Sequence, residues 1–113
     1  MRRPLLFRLP GLLAAAGHRP CVMVDASHSN SRKDFRRQAE VVGDLCGQIS
    51  GGSDAVIGVM IESNLVEGRQ DIVQGQPLVY GQSVTDACIG WDETVALLGR
   101  LARAVRDRRS RNC

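Results

Sequence analysis

Two short apolar runs, "CVMVDA" (21–26) and "AVIGVMIES" (55–63), set the tightest limit on what this chain can fold into. Both are rich in β-branched or thioether side chains and lack polar alternation, so each reads as a strand covered on both faces. Between them Phe35, Ala39, Val42, Leu45, Cys46 and Ile49 recur at helical spacing. Asn30 or Ser31 is placed to cap that helix, and "SRKD" (31–34) has capping-box spacing. "SGGSD" (50–54) ends it with glycine, which tolerates a left-handed cap. Parallel strands need a crossover connection, so strand, helix and strand in this order predict a parallel βαβ unit. Two strands leave both sheet edges unpaired, and the chain therefore reads as part of a larger α/β sheet.

On either side of this unit the pattern changes. Leu12 to Ala16 look like the end of an amphipathic helix stopped by Gly17. Residues 64–90, "NLVEGRQDIVQGQPLVYGQSVTDACIG", hold four glycines and one proline and show little periodicity. A connection of that length in a compact domain usually carries function. "WDETVALLGRLARAVRDRR" then predicts a final helix, with Asp92 as its N-cap and Val95, Leu98, Leu101, Ala102 and Val105 as its apolar stripe.

Composition narrows the class. At 113 residues, 43% hydrophobic and 24% charged, the chain is globular and fits one small domain. The net charge is +3, and six arginines fall in the last fourteen residues, so the basic character is local. Such a tail is able to touch nucleic acid or an anionic membrane, but more often it forms the solvated face of a last helix. Neither nucleic acid nor membrane is expected as a partner. Cys21, Cys46, Cys88 and Cys113 show no CxxC pair and no regular framework, which fits free thiols in a reducing cytoplasm. "MRRPLLFRLPGLLAAAG" has the order of a secretory signal, and an acid-free start up to Asp25 also suits a transit peptide. Arg8 and Pro10 interrupt its apolar part, and no apolar run approaches a membrane span.

Side chains that follow the carboxyl ends of parallel strands converge on the ligand side of such a sheet. His28 lies just past the first strand, Glu62 ends the second, and Asp86 sits on the long loop that must cross the same face. If the strands are neighbours, about 5 Å separates their axes and both side chains reach one point. One imidazole and two carboxylates suit a divalent metal such as Mn²⁺, Fe²⁺, Co²⁺ or Zn²⁺. The same groups would also serve as a base, its orienting partner and an unrelated acid, and spacing alone leaves both readings open.

Three stretches carry a resemblance. "VMVDASHSNSRKDFRRQ", "IGVMIESNLVEGRQ" and "YGQSVTDACIGWDET" closely resemble the carboxyl-terminal part of the type I 3-deoxy-D-arabino-heptulosonate 7-phosphate (DAHP) synthases, from about Leu12 to about Arg106. Departures are small: Arg69 stands where asparagine is frequent, and Ala26 where an aromatic residue or cysteine is common.

The resemblance implies a metal-dependent transferase of the shikimate pathway on a (β/α)₈ TIM barrel. That enzyme condenses phosphoenolpyruvate with erythrose 4-phosphate and releases phosphate. It also implies a homo-oligomer when complete. Its divalent metal is held by a cysteine, a histidine, a glutamate and an aspartate, and the last three match His28, Glu62 and Asp86. The cysteine ligand belongs to an upstream segment, and neither Cys88 nor the other thiols match it. Lys33 and Arg69 are the nearest candidates for a phosphate contact, beside the plainer reading of both as surface charges. A whole barrel takes about 250 residues. The expectation is therefore a carboxyl-terminal (βα)₂ portion over residues 11–113, preceded by an unaligned start or linker over 1–10 and inactive by itself. A non-catalytic half-barrel assembly module and a metal-binding protein without catalysis are the alternatives.

Overall fold

In the computed structural model, which describes residues 12–27 and 34–111, the two apolar runs form adjacent parallel strands, β1 (Val22–Asp25) and β2 (Val56–Met60). Val22 pairs with Val56 and Met23 with Gly58, so Ile57 is an extra residue that shifts the register by one. Val24 and Val59 are then partners on one face, while Met23 and Gly58 share the other. A Cβ at position 58 would lie 3.3 Å from Met23 Cγ, so the glycine makes room for the methionine beside it.

Helix α1 (Gln38–Ser50) connects the strands and packs against α2 (Trp91–Arg111). A short 3₁₀ turn, Phe35–Arg37, precedes α1, and the Asp34 carboxylate caps it by accepting the Arg36 N–H at 3.1 Å. The expected caps Asn30 and Ser31 lie outside the described residues. At the far end Gly51 is right-handed and Gly52 takes the left-handed turn at φ +113°. Gly17 ends the helical turn over 12–15 in the same way, at φ +85°.

Both helices lie on one face of the sheet. Val24, Leu45, Ile49, Val56 and Ala104 form one buried cluster; Ala26, Val42, Ile89 and Leu97 form the next, toward the carboxyl ends of the strands. The opposite face is open: Met23 is 66% and Ile57 69% exposed. Cover on both faces, as the apolar runs predict, is thus present on one face within these residues. The reason is that α1 and α2 sit side by side in a single layer.

The final helix also differs from its predicted stripe. Thr94, Leu97 and Ala104 are buried, with Leu101 and Val105 partly so, while Val95, Leu98 and Ala102 face outward. More apolar residues stand on α2 than one face can hold, and the position of α1 selects among them. Asp92 lies inside the first turn and not ahead of it. There it joins Glu93 in favouring the positive end of the helix dipole. No described helix is long and apolar enough to cross a membrane.

Candidate metal centre

Past the carboxyl ends of β1 and β2 the chain is organised by hydrogen bonds more than by apolar burial. The Ala26 N–H donates to the Met60 carbonyl at 2.9 Å, carrying the strand pairing one step beyond β1. The next residue, Ser27, is buried and donates its N–H to Asp25 Oδ1 at 2.7 Å; its hydroxyl bonds to the same oxygen. Residues 28–33 follow this turn in sequence. His28 lies there, outside the described residues, as does Lys33.

Glu62 follows β2 by two residues, and its backbone is held from two sides. The Gln38 side chain accepts the Glu62 N–H at 2.8 Å and donates to the Glu62 carbonyl at 3.0 Å. The Ile89 N–H donates to that carbonyl as well, at 3.1 Å. Asp86 sits on the long loop, whose path is set by paired bonds between Gly68 and Cys88. Arg69 steadies the stretch just before Asp86: its Nε donates to the Thr85 carbonyl at 2.8 Å, and its Nη2 pairs with Asp71 at 2.7 Å. The loop thus reads as irregular in sequence yet is fixed residue by residue.

These elements enclose a cleft of about 400 Å³ whose lining includes Ser27, Glu62, Arg69 and Asp86. Both predicted carboxylates therefore line one space, together with Ser27, the last residue described before His28. The nearby Cys88 thiol registers the crowding of negative charge. Its pKa is pushed up first by burial, then by the Glu62 charge and to a lesser degree by Asp86, against a lowering hydrogen bond with Ser83. Cys88 is thus a protonated, buried thiol and not an anionic donor at neutral pH. Two carboxylate residues lining one cleft supply hard oxygen donors of the type that holds a divalent cation. No group of three His, Cys, Asp or Glu placed to hold a metal occurs among the described residues. They supply two of the expected donors.

Two contributors close the resembling stretches, Gln38 the first and Gln70 the second, without a role being read for either from sequence. Gln38 falls on the stripe of Val42, Leu45 and Ile49, a polar residue at an apolar position, and that mismatch is the signal for it. Gln70 bridges the loop by accepting the Val79 N–H and donating to the carbonyls of Val79 and Gln82. Its place in the stretch marks the position, but nothing local names the partners at Val79 and Gln82.

Comparison with known proteins adds four findings. Residues 11–99 match the sequence model of the DAHP synthetase I family. The Phe-sensitive phospho-2-dehydro-3-deoxyheptonate aldolase of Escherichia coli K12 is 57% identical over 97 residues, covering 86% of this chain and 28% of that protein. A phospho-2-dehydro-3-deoxyheptonate aldolase of Corynebacterium glutamicum is 55% identical over 83% of this chain. Among solved structures, the phospho-2-dehydro-3-deoxyheptonate aldolase from Francisella tularensis SCHU S4 superposes with a TM-score of 0.80 at 51% identity, over 87% of this chain and 28% of that one. The chain thus spans little more than a quarter of the length of the relatives it matches.

Proposed function

The chain belongs to the DAHP synthetase I family, and from that premise we propose that it supplies three of the four metal ligands of a DAHP synthase, namely His28, Glu62 and Asp86. The activity is the condensation of phosphoenolpyruvate with erythrose 4-phosphate and water, giving DAHP and phosphate, in a cytoplasmic transferase. Its strands and helices are the carboxyl-terminal (βα)₂ portion of a TIM barrel, which assembles as a homo-oligomer when complete. One observation carries the reading: Glu62 and Asp86 line a single cleft beyond the carboxyl ends of two parallel strands.

Glu62 and Asp86 contribute anionic oxygen donors and His28 a neutral nitrogen donor. A divalent metal bound by them supplies Lewis acidity toward a sugar aldehyde or a water. Arg69 places a cation at the rim, where two phosphorylated substrates would enter, and its fixed Nε and Nη2 contacts hold that charge in place. Cys88 keeps its proton and adds no charge to the donor set.

Equilibrium dialysis against Mn²⁺ or Co²⁺ tests the ligand set. Uptake by the 113-residue chain is expected to fall about tenfold or more in His28→Ala and in Glu62→Gln; equal uptake by wild type and variant removes that residue from the site. The 113 residues by themselves are expected to release no phosphate from the two substrates. Release that disappears in Glu62→Ala would overturn that expectation.

A second reading is favoured by the open sheet face of Met23 and Ile57: a non-catalytic assembly module that docks through that face. It requires a discrete oligomer or complex on size-exclusion chromatography, and a well-folded monomer without metal uptake would count against both readings.

A further inference from the structure

Gln38 is the first residue of α1 and is completely buried. A primary amide removed from water needs partners at both ends, because a buried donor or acceptor left unpaired keeps its full desolvation penalty. Gln38 finds both on one residue, the N–H of Glu62 at 2.8 Å and its carbonyl at 3.0 Å. β2 has ended at Met60, so the side chain replaces the neighbouring strand that would otherwise bond there. Bonds to the N–H and the carbonyl of the same residue restrain its φ and ψ together, and with them the direction of its Cα–Cβ bond.

The Glu62 carbonyl is also the acceptor for the Ile89 N–H, three residues beyond Asp86. Helix α1, the end of β2 and the loop bearing the second carboxylate therefore meet at one peptide group. A swing of the Glu62 backbone would carry its side chain away from the cleft that Asp86 also lines. Every buried side-chain polar atom among the described residues has a partner, so the clamp has no slack group through which to relax.

We propose that Gln38 is a positioning residue that sets the Glu62 carboxylate against Asp86 for a divalent cation, an inference that rests on Glu62 being a metal donor. Gln38 touches neither metal nor substrate and acts through the backbone of Glu62. A merely structural glutamine would affect folding; a positioning glutamine affects metal affinity through Glu62.

The experiment is a double-mutant cycle on the 113-residue chain, with Mn²⁺ affinity read by electron paramagnetic resonance for wild type, Gln38→Met, Glu62→Gln and the double variant. Gln38→Met is expected to weaken Mn²⁺ binding about tenfold, and the double variant to bind no worse than Glu62→Gln alone. Weakening by Glu62→Gln without weakening by Gln38→Met overturns the positioning role. Unchanged affinity in Glu62→Gln overturns the metal reading instead. Ile49→Val, a mild loss of packing in the same helix away from Glu62, must leave the affinity unchanged; an equal drop there reduces Gln38 to a general packing role and overturns the proposal. If Gln38→Met does not fold, wild-type nuclear magnetic resonance decides. The Gln38 side-chain amide and the Glu62 N–H are expected to shift together on titration with Zn²⁺, and a Glu62 N–H that exchanges freely with solvent overturns the clamp.

Discussion

The helix-covered face of the sheet and the loop beyond its carboxyl edge hold their shapes by different physics. Under α1 and α2, Val24, Val42, Leu45, Ile89 and Leu97 are fixed by removal of apolar surface from water, with side chains that carry no polar group. Residues 71–80 of the loop are exposed throughout. Their path is set by side chains that bond to backbone: Gln70 to Val79 and Gln82, Gln82 to Glu67, and Arg69 to Thr85. Burial is nearly indifferent to direction, whereas hydrogen bonds specify it. That difference suits the two tasks, one region supplying cohesion and the other aiming Asp86 at the space Glu62 faces.

If that division is right, damage to the first region should be global and damage to the second local. Leu45 is 1% exposed, and Leu45→Ala is expected to lower the stability of the whole chain by about 3 kcal/mol, read from urea unfolding. A change confined to α1 amides would break the comparison. Gln70→Met removes three hydrogen bonds from a segment that water can reach, so about 1 kcal/mol is expected. Its effect should appear as faster hydrogen exchange at Val79 and Gln82, with β1 and β2 unchanged. Loss of protection in the strands would show that the loop and core unfold as one unit.

The smallest effect is a pH dependence shared by the two regions, because Cys46 belongs to the helix layer and Cys88 to the base of the loop. Burial pushes both thiols up; Arg100 opposes this at Cys46, and the charges of Glu62 and Asp86 add to it at Cys88. A thiol whose folded pKa exceeds its unfolded value stabilises fully below the unfolded value, and that stability is lost as pH rises through the folded one. Urea midpoints should therefore fall between neutral pH and pH values above the ordinary thiol range, about 8.5. The fall should be smaller in a Cys46→Ala, Cys88→Ala double variant. An identical decline in both proteins would remove the thiols as its cause.

The helix layer was legible in sequence to the extent that periodicity alone describes it. Val42, Leu45 and Ile49 were placed by spacing, and Gly17 and Gly52 stop their segments as glycine-bearing turns should. On α2 the spacing offered more apolar residues than the layer needed, and Val95 and Leu98 were assigned inward but face out. In the candidate site, strand ends and motifs mark Glu62 and Asp86, and both line the one cleft. The role of Gln38 was not marked, since its partner lies twenty-four positions away. His28 was marked equally well, and it falls outside the described residues.

By itself the sequence determined the order strand, helix, strand and loop, the parallel pairing that a crossover helix requires, and the polar residues that follow each strand. Those are local properties, written in spacing, glycine positions and residue type. Only the tertiary structure decided that both helices share one face, which side of α2 is buried, and that a buried glutamine holds the backbone of Glu62. Each of these depends on which distant segments touch. Contact free energy between them is gained only after the chain has closed the intervening loop, and no local pattern encodes which partner is met there.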